Sequence, residues 1–212
     1  MPELPEVETT VRSLNRTVKG LRIIDVWSSY NSAFHKGKNN IKDVKYFKKF
    51  KKAVIGKKFL LSERRAKNII INLVGGISIL VHMKMTGHFL YGKYKKCLTN
   101  NSQLATHNRN WEWKPVEEGP LKDPMNRFIR VVFTLSNKKH LAFSDLRRFA
   151  KINYFPTKDI NRFDDLKKIG PEPLSSSFTF EKFKNQLLKK PNGKMKQVLM
   201  DQSVIAGIGN IY

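Results

Sequence analysis

Apolar residues at Leu4, Val7, Val11, Leu14 and Val18 recur at intervals of three and four, which is the spacing of one face of a helix. The spacing predicts a helix that opens almost at the start of the chain and closes at Gly20. Pro5 is tolerated in its first turn, and Glu6 and Glu8 suit the positive end of its dipole. Beyond Gly20 the period shortens. Residues 21–27, 58–64, 68–74, 77–83, 87–94, 128–135, 140–144 and 150–155 are short runs, β-branched or aromatic, bounded by turn residues. They predict the strands of a sandwich or barrel. Gly75-Gly76 reads as a two-residue hairpin turn, and Ser136-Asn137-Lys138-Lys139 as a longer one. Residues 95–123 turn polar, with Asn100, Asn101, Asn108 and Asn110 beside Trp111 and Trp113, and read as a long surface insertion.

From Thr157 the pattern changes to charged residues at helical spacing, punctuated by Gly170-Pro171-Glu172-Pro173. A helix is predicted over 177–190, with Phe178, Phe180, Phe183, Leu187 and Leu188 on one broad face, and a shorter one over 194–201. The expected fold is α+β: an N-terminal helix plus a two-sheet β-sandwich over residues 1–156, then a helical domain over 157–212.

Composition adds a partner. The chain has 41 Lys plus Arg against 17 Asp plus Glu, a formal charge of +24 on 212 residues, and 40% hydrophobic residues. The apolar fraction supports a packed core, and the charge makes a polyanion the expected ligand, nucleic acid ahead of an anionic membrane surface. A single cysteine, Cys97, excludes an internal disulfide framework and a multi-cysteine zinc site. The longest apolar stretch, 69–83, is broken by Asn72, Gly75, Gly76 and Ser78 and falls short of a membrane span. Glu3, Glu6 and Glu8 do not fit a secretory leader, so a cytoplasmic location is expected.

The chemistry concentrates at Met1-Pro2-Glu3-Leu4-Pro5-Glu6-Val7-Glu8-Thr9. Removal of Met1 would leave Pro2 as a free secondary amine. Such an amine is substantially deprotonated near neutral pH, and its attack on a sugar C1′ gives an iminium directly. Glu3 stands beside it as an acid or base. Two residues alone read more simply as the start of a helix; the longer block does not.

That block resembles the start of bacterial formamidopyrimidine-DNA glycosylases, the repair enzymes that excise 8-oxoguanine and ring-opened purines. The resemblance continues in order through Arg64-Arg65-Ala66-Lys67, His82-Met83-Lys84-Met85-Thr86-Gly87, Asp145-Leu146-Arg147-Arg148-Phe149, Gly170-Pro171-Glu172-Pro173-Leu174 and Leu199-Met200-Asp201-Gln202, to Gly207-Ile208-Gly209-Asn210-Ile211-Tyr212. It implies a helix-two-turn-helix motif in the helical domain, and base excision with strand cleavage by β/δ-elimination. Pro2 would form the Schiff base, Glu3 protonate the opening sugar, Glu6 support the site, and Lys67 hold flanking phosphates and assist elimination. The target nucleotide must leave the stack. Met85 would then fill the void, Arg147 meet the orphaned cytosine, and Phe149 wedge between bases, although an ion pair of Arg147 with Asp145 is an open alternative. Gly209 and Asn210 would approach a phosphate from the glycine turn, with Lys196 as a second contact.

The implied partner is duplex DNA bearing oxidised bases or abasic sites, met by a monomer in the bacterial cytosol or nucleoid, with no membrane involved. The family ends in a four-cysteine finger that binds one zinc. That segment is missing here, and Cys97 with His35, His82, His88, His107 and His140 offers no replacement, so no metal ligand is expected. Within the same family the endonuclease VIII branch, which takes oxidised pyrimidines, usually has Gly where Leu4 stands. That branch, a non-catalytic DNA-binding relic and a generic basic RNA-binding protein are the alternatives.

Overall fold

The structure, a computed structural model, describes residues 2–98 and 111–211. In chain order the elements are α1 (Leu4–Thr17), β1 (Ile23–Ser28), α2 (Val44–Val54), β2 (Phe59–Arg65), β3 (Asn68–Leu73), β4 (Ile77–His82), β5 (His88–Gly92), β6 (Tyr94–Leu98) and β7 (Trp111–Pro115). There follow β8 (Ile129–Leu135), β9 (His140–Ser144), β10 (Lys151–Pro156), α3 (Asp164–Lys167), α4 (Phe180–Leu187) and α5 (Met195–Met200). The class is α+β, with an N-terminal helix, antiparallel sheets and helices after the last strand. The chain forms two compact units. One gathers Met1–Gly20, Lys58–Met85 and Ala150–Tyr212, the other Leu21–Lys57 and Thr86–Phe149.

In the first unit a four-stranded antiparallel sheet runs in the order β10-β4-β3-β2. Helix α1 lies on β2 and β3 and buries Val7, Val11 and Leu14, with Val18 just past its end. Each such side chain contributes about 1.5–3 kcal/mol. Ile70 and Leu80 pack instead with Phe155, Leu166, Ile160, Phe163 and Ile169. Both faces of β3 are therefore covered, which is why its apolar run is continuous rather than alternating. Strands β3 and β4 pair Leu73 with Ile77, so Val74, Gly75 and Gly76 make a three-residue turn. Gly75 and Gly76 have φ of 92° and 71°, the region only glycine enters freely, and the expected two-residue turn is corrected by one residue. Helix α4 is shorter than the predicted 177–190. Phe178, Phe183 and Leu187 pack on Val198, Val204 and Ile205, whereas Phe180 and Leu188 are exposed: eight residues turn only part of the apolar arc inward.

The second unit holds the antiparallel sheet β1-β8-β9-β5. Helix α2, in a stretch between the predicted runs 21–27 and 58–64 to which no element was assigned, seats Phe50 against Phe133 with ring centroids 6.3 Å apart. The insertion expected over residues 95–123 gains regular structure: its described residues are all exposed or partly buried. Its described part pairs β6 with β7 as an antiparallel hairpin, and Tyr94, Trp113 and Leu121 cluster with Trp27, Leu90, Ile129, Val132 and Ala142. Asn100, Asn101, Asn108 and Asn110 lie outside the described residues.

Candidate active site and nucleic-acid interface

Helix α1 begins at a carboxylate. Glu3 is its N-cap, 3% exposed, and its own N–H donates to Glu6 Oε2 at 2.9 Å in a capping box. Its side chain reaches the far end of the described chain. Glu3 Oε1 accepts the N–H of Asn210 at 2.7 Å and of Ile211 at 3.1 Å, a charge-assisted seat for a buried anion. The turn that supplies these donors is held by Gln202, whose Oε1 accepts from Gly207 N at 2.8 Å and whose Nε2 donates to the Ile208 carbonyl at 2.9 Å. Gly209 is buried hard against Glu3: a Cβ there would lie 1.9 Å from the carboxyl carbon. Pro2, partly exposed, is the residue next to this fixed carboxylate. The side chain of Asn210 is exposed, as is Lys196 on α5.

Lys67 stands in the β2–β3 turn, in the same unit. Ala66 before it is left-handed, with φ 53°. Glu172 clasps this turn, accepting from Ala66 N, from Arg64 Nη1 at 2.7 Å and from Arg65 Nη1 at 3.2 Å. Burial pushes the Glu172 carboxyl up, but the Ala66 N–H and the two guanidinium groups outweigh it and hold it below its ordinary value. The clasp explains why the Gly-Pro-Glu-Pro block matters to a lysine a hundred residues away. Lys67 is itself 5% exposed, and burial lowers its pKa against the opposing pull of the Glu3 carboxylate. Beside it a cavity of about 270 Å³ is lined by Lys67, Asn68, His82, Lys84, Lys151 and Asp165 among others. Burial, with Lys84 and Lys67 adding to it, pushes His82 down to about 4. The imidazole is therefore neutral at pH 7. Its Nδ1 accepts the Lys84 N–H at 3.1 Å, which leaves the proton on Nε2. A pocket with this lining can take an anion.

The second unit builds the loop that carries Arg147 and Phe149. Its anchor is Asp145, fully buried, which accepts from Tyr30 Oη at 2.8 Å and Thr86 Oγ1 at 2.6 Å. Arg130 Nε donates to the Asp145 carbonyl at 3.1 Å, Arg147 N donates to Thr86 Oγ1 at 3.1 Å, and Lys42 Nζ donates to the Arg148 carbonyl at 2.6 Å. Arg148 is left-handed at φ 56°. Burial, then the Asp145 carboxylate, push the Tyr30 phenol far above its usual range, so it donates at every ordinary pH. Tyr30, Lys42, Thr86 and Arg130 thus fix a backbone from which Arg147 and Phe149, 57% exposed, project into solvent. None of the four was picked out by sequence, although Thr86 and Asp145 sit inside the recognised blocks. Met85, 42% exposed, follows β4 in the first unit.

Among the described residues no group of three His, Cys, Asp or Glu converges on a metal site, and Cys97 is a lone thiol. These residues do not fit a zinc ion. No helix among them is long and apolar enough to cross a membrane.

Comparison with known proteins gives a consistent result. Residues 1–152 match the model of the formamidopyrimidine-DNA glycosylase N-terminal domain, and residues 169–212 the model of the formamidopyrimidine-DNA glycosylase H2TH domain. The formamidopyrimidine-DNA glycosylases of Desulforamulus reducens and Pelotomaculum thermopropionicum are 31% and 34% identical over the whole chain, which spans 64% of the length of each. Among solved structures, the Lactococcus lactis formamidopyrimidine-DNA glycosylase bound non-covalently to DNA containing an AP site aligns with TM-score 0.71 and 25% identity, over 99% of this chain and 66% of that one. A MutM complex with DNA containing carbocyclic 8-oxo-G aligns with TM-score 0.74 and 26% identity, over 100% and 66%.

Proposed function

This chain belongs to the formamidopyrimidine-DNA glycosylase family, and on that premise we propose that it is a base-excision DNA glycosylase with AP lyase activity, acting on oxidised purines in duplex DNA. The Pro2 nitrogen, freed by loss of Met1, attacks C1′ of the extruded nucleotide; the C1′–base bond breaks, and the departing base takes the proton that the Pro2 nitrogen gives up. Glu3, entering the step as the carboxylic acid, gives its proton to the ring oxygen as the C1′–oxygen bond breaks and the nitrogen lone pair closes the iminium, and the carboxylate left behind is the form that the Asn210 and Ile211 N–H groups favour. Lys67, with its pKa lowered by burial, is suited to steady the adjoining phosphate and to move protons during elimination of the 3′ and 5′ phosphates. Met85 fills the void the extruded nucleotide leaves, Arg147 meets the orphaned cytosine, Phe149 wedges between bases, and Lys196, Gly209 and Asn210 grip the backbone. The observation that carries this reading is the buried Glu3 carboxylate, fixed by two backbone N–H groups immediately beside Pro2.

The test is borohydride trapping on a duplex with 8-oxoguanine opposite cytosine, alongside thymine glycol and abasic duplexes. The parent chain is expected to form an adduct on the 8-oxoguanine and abasic duplexes. Pro2→Gly is expected to form neither, and Glu3→Gln only the abasic one. Adducts at parental level in Pro2→Gly refute the assignment of the nucleophile. A thymine glycol preference moves the chain to the endonuclease VIII-like pyrimidine branch. Binding without any adduct leaves a DNA-binding relic.

A further inference from the structure

Residues 36–58 carry ten lysines and, as the single acidic residue, Asp43. On α2, Lys45, Lys48, Lys49 and Lys52 are all exposed and follow the i, i+3, i+4, i+7 spacing of one helix face. The inward residues Phe50 and Val54 are fully buried, and Lys51 pairs with Asp25 at 2.6 Å. No ion pair engages the four exposed lysines among the described residues. The pairs 45–48, 45–49, 48–52 and 49–52 set like charges on adjacent turns, which destabilises an isolated helix.

At the N-terminal end of α2 the same lysines enter a concavity of about 310 Å³, lined by Lys36, Lys38, Lys45 and Lys49 together with Asp43. The Asp43 carboxylate is turned onto the backbone, accepting from Tyr46 N at 2.6 Å and Gly37 N at 3.1 Å. Lys38 Nζ lies 3.8 Å above the ring of Phe34, which is 77% exposed. Lys42, between the concavity and the helix, donates to the Arg148 carbonyl. The basic tract therefore begins beside the loop that presents Arg147 and Phe149.

We propose that the lysine face of α2 and the concavity at its start form a second DNA-backbone contact, holding phosphates of the duplex away from the damaged nucleotide. The proposal rests on the reading of the chain as a protein that works on duplex DNA. Cations repeated on adjacent turns suit an evenly charged polymer. From Lys45 to Lys52 the helix rises about 10 Å, close to three phosphate steps of one DNA strand. A lipid surface fits less well, because Phe50 and Val54 of α2 are spent in the core and Val44 is the one exposed apolar residue of the helix. The tether at Arg148 lets one duplex reach both the loop and the lysines.

The experiment measures binding of the full chain to an undamaged duplex across a salt series. Lys45, Lys48, Lys49 and Lys52 are replaced together by Gln, and a control replaces the exposed, scattered Lys19, Lys93, Lys158 and Lys168 by Gln. Each lysine that neutralises a phosphate adds about 0.9 to the slope of log K against log salt. The α2 variant is expected to lower that slope by about 3 to 4, and to weaken binding roughly 100-fold or more near 0.1 M salt. The control is expected to lower the slope by less than about 1. Equal slopes for the two variants, or an unchanged slope for the α2 variant, overturn the proposal. So does a loss confined to vesicles of phosphatidylserine and phosphatidylcholine, which would assign the face to membrane. Thermal melting verifies that the variant is folded; relief of like-charge contacts predicts an equal or higher midpoint. Trapping of the parent chain on abasic duplex reports the catalytic reading separately, since the salt series needs no catalysis.

Discussion

Replacing Gly209 by alanine sets a methyl group against the Glu3 carboxylate, the acid of the proposed reaction. The new Cβ would lie 1.9 Å from Glu3 Cδ and 2.1 and 2.2 Å from its two oxygens, well inside any real contact. Gly209 is not in the left-handed region, so the backbone accepts alanine and the clash alone is tested. The atoms struck are the end of a flexible side chain, and the carboxylate moves. Moving it breaks the bonds from Asn210 and Ile211. At about 1.5–3 kcal/mol for a hydrogen bond to a charged group, roughly 3–6 kcal/mol of positioning is lost. A domain stable by about 5–15 kcal/mol can lose part of this and remain folded. A misplaced general acid forfeits about 10²–10⁴ in rate. Single-turnover excision from an 8-oxoguanine duplex is therefore expected to fall at least ~100-fold, while borohydride trapping on a preformed abasic site, which needs the Pro2 amine alone, persists. Circular dichroism verifies folding. Excision at the parental rate by folded Gly209→Ala would refute the view that this turn fixes Glu3.

Three further outcomes follow from described contacts. His82 has a folded-state pKa of about 4 against 6.5 for its ordinary value, so unfolding takes up a proton between those limits. Stability is then full above about pH 6.5 and drops by about 3 kcal/mol as pH falls to 4. Urea midpoints of parent and His82→Asn across this range are expected to diverge on the acid side, and parallel curves contradict the shift. Tyr30→Phe removes one donor from the buried Asp145 carboxylate and is expected to cost about 1.5–3 kcal/mol; it should also blunt discrimination of the base opposite the lesion, read by comparing excision opposite cytosine and adenine. Glu172→Gln uncouples the Arg64 and Arg65 guanidinium groups from the Lys67 turn, with an expected loss on the order of 3 kcal/mol in denaturant melts; a neutral result would mean that the clasp is not formed in solution.

The strands were legible because β-branched residues bounded by turns leave little else to form: all eight predicted runs end within two residues of the observed elements. Helix α2 escaped because its apolar positions, Val44, Phe47, Phe50 and Val54, are diluted by five lysines; the helix is fixed by Asp43 capping its start and Phe50 reaching Phe133. Strands β6 and β7 were hidden by the polar run between them, and what orders them is tertiary, the burial of Tyr94 and Trp113 on a sheet. At the site, sequence named side chains by their chemistry and by the blocks that carry the family resemblance. It did not name Gln202, Tyr30, Lys42 or the clasp by Glu172, since a partner such as Tyr30 for Asp145 lies 115 residues away and nothing local marks it.

The bond between Glu3 and Asn210 joins residues 207 positions apart, and that separation has a meaning in time. A ribosome adding about 5–20 residues each second makes residue 210 on the order of 10–40 s after residue 3. Throughout that interval the nascent chain carries its opening amine while the seat for the neighbouring carboxylate has not been synthesised. Helix α1 can form early on its own strands, but the acid beside it acquires a fixed position only when the glycine turn arrives. Translation thus makes the amino end first and gives the carboxylate beside it a fixed seat last.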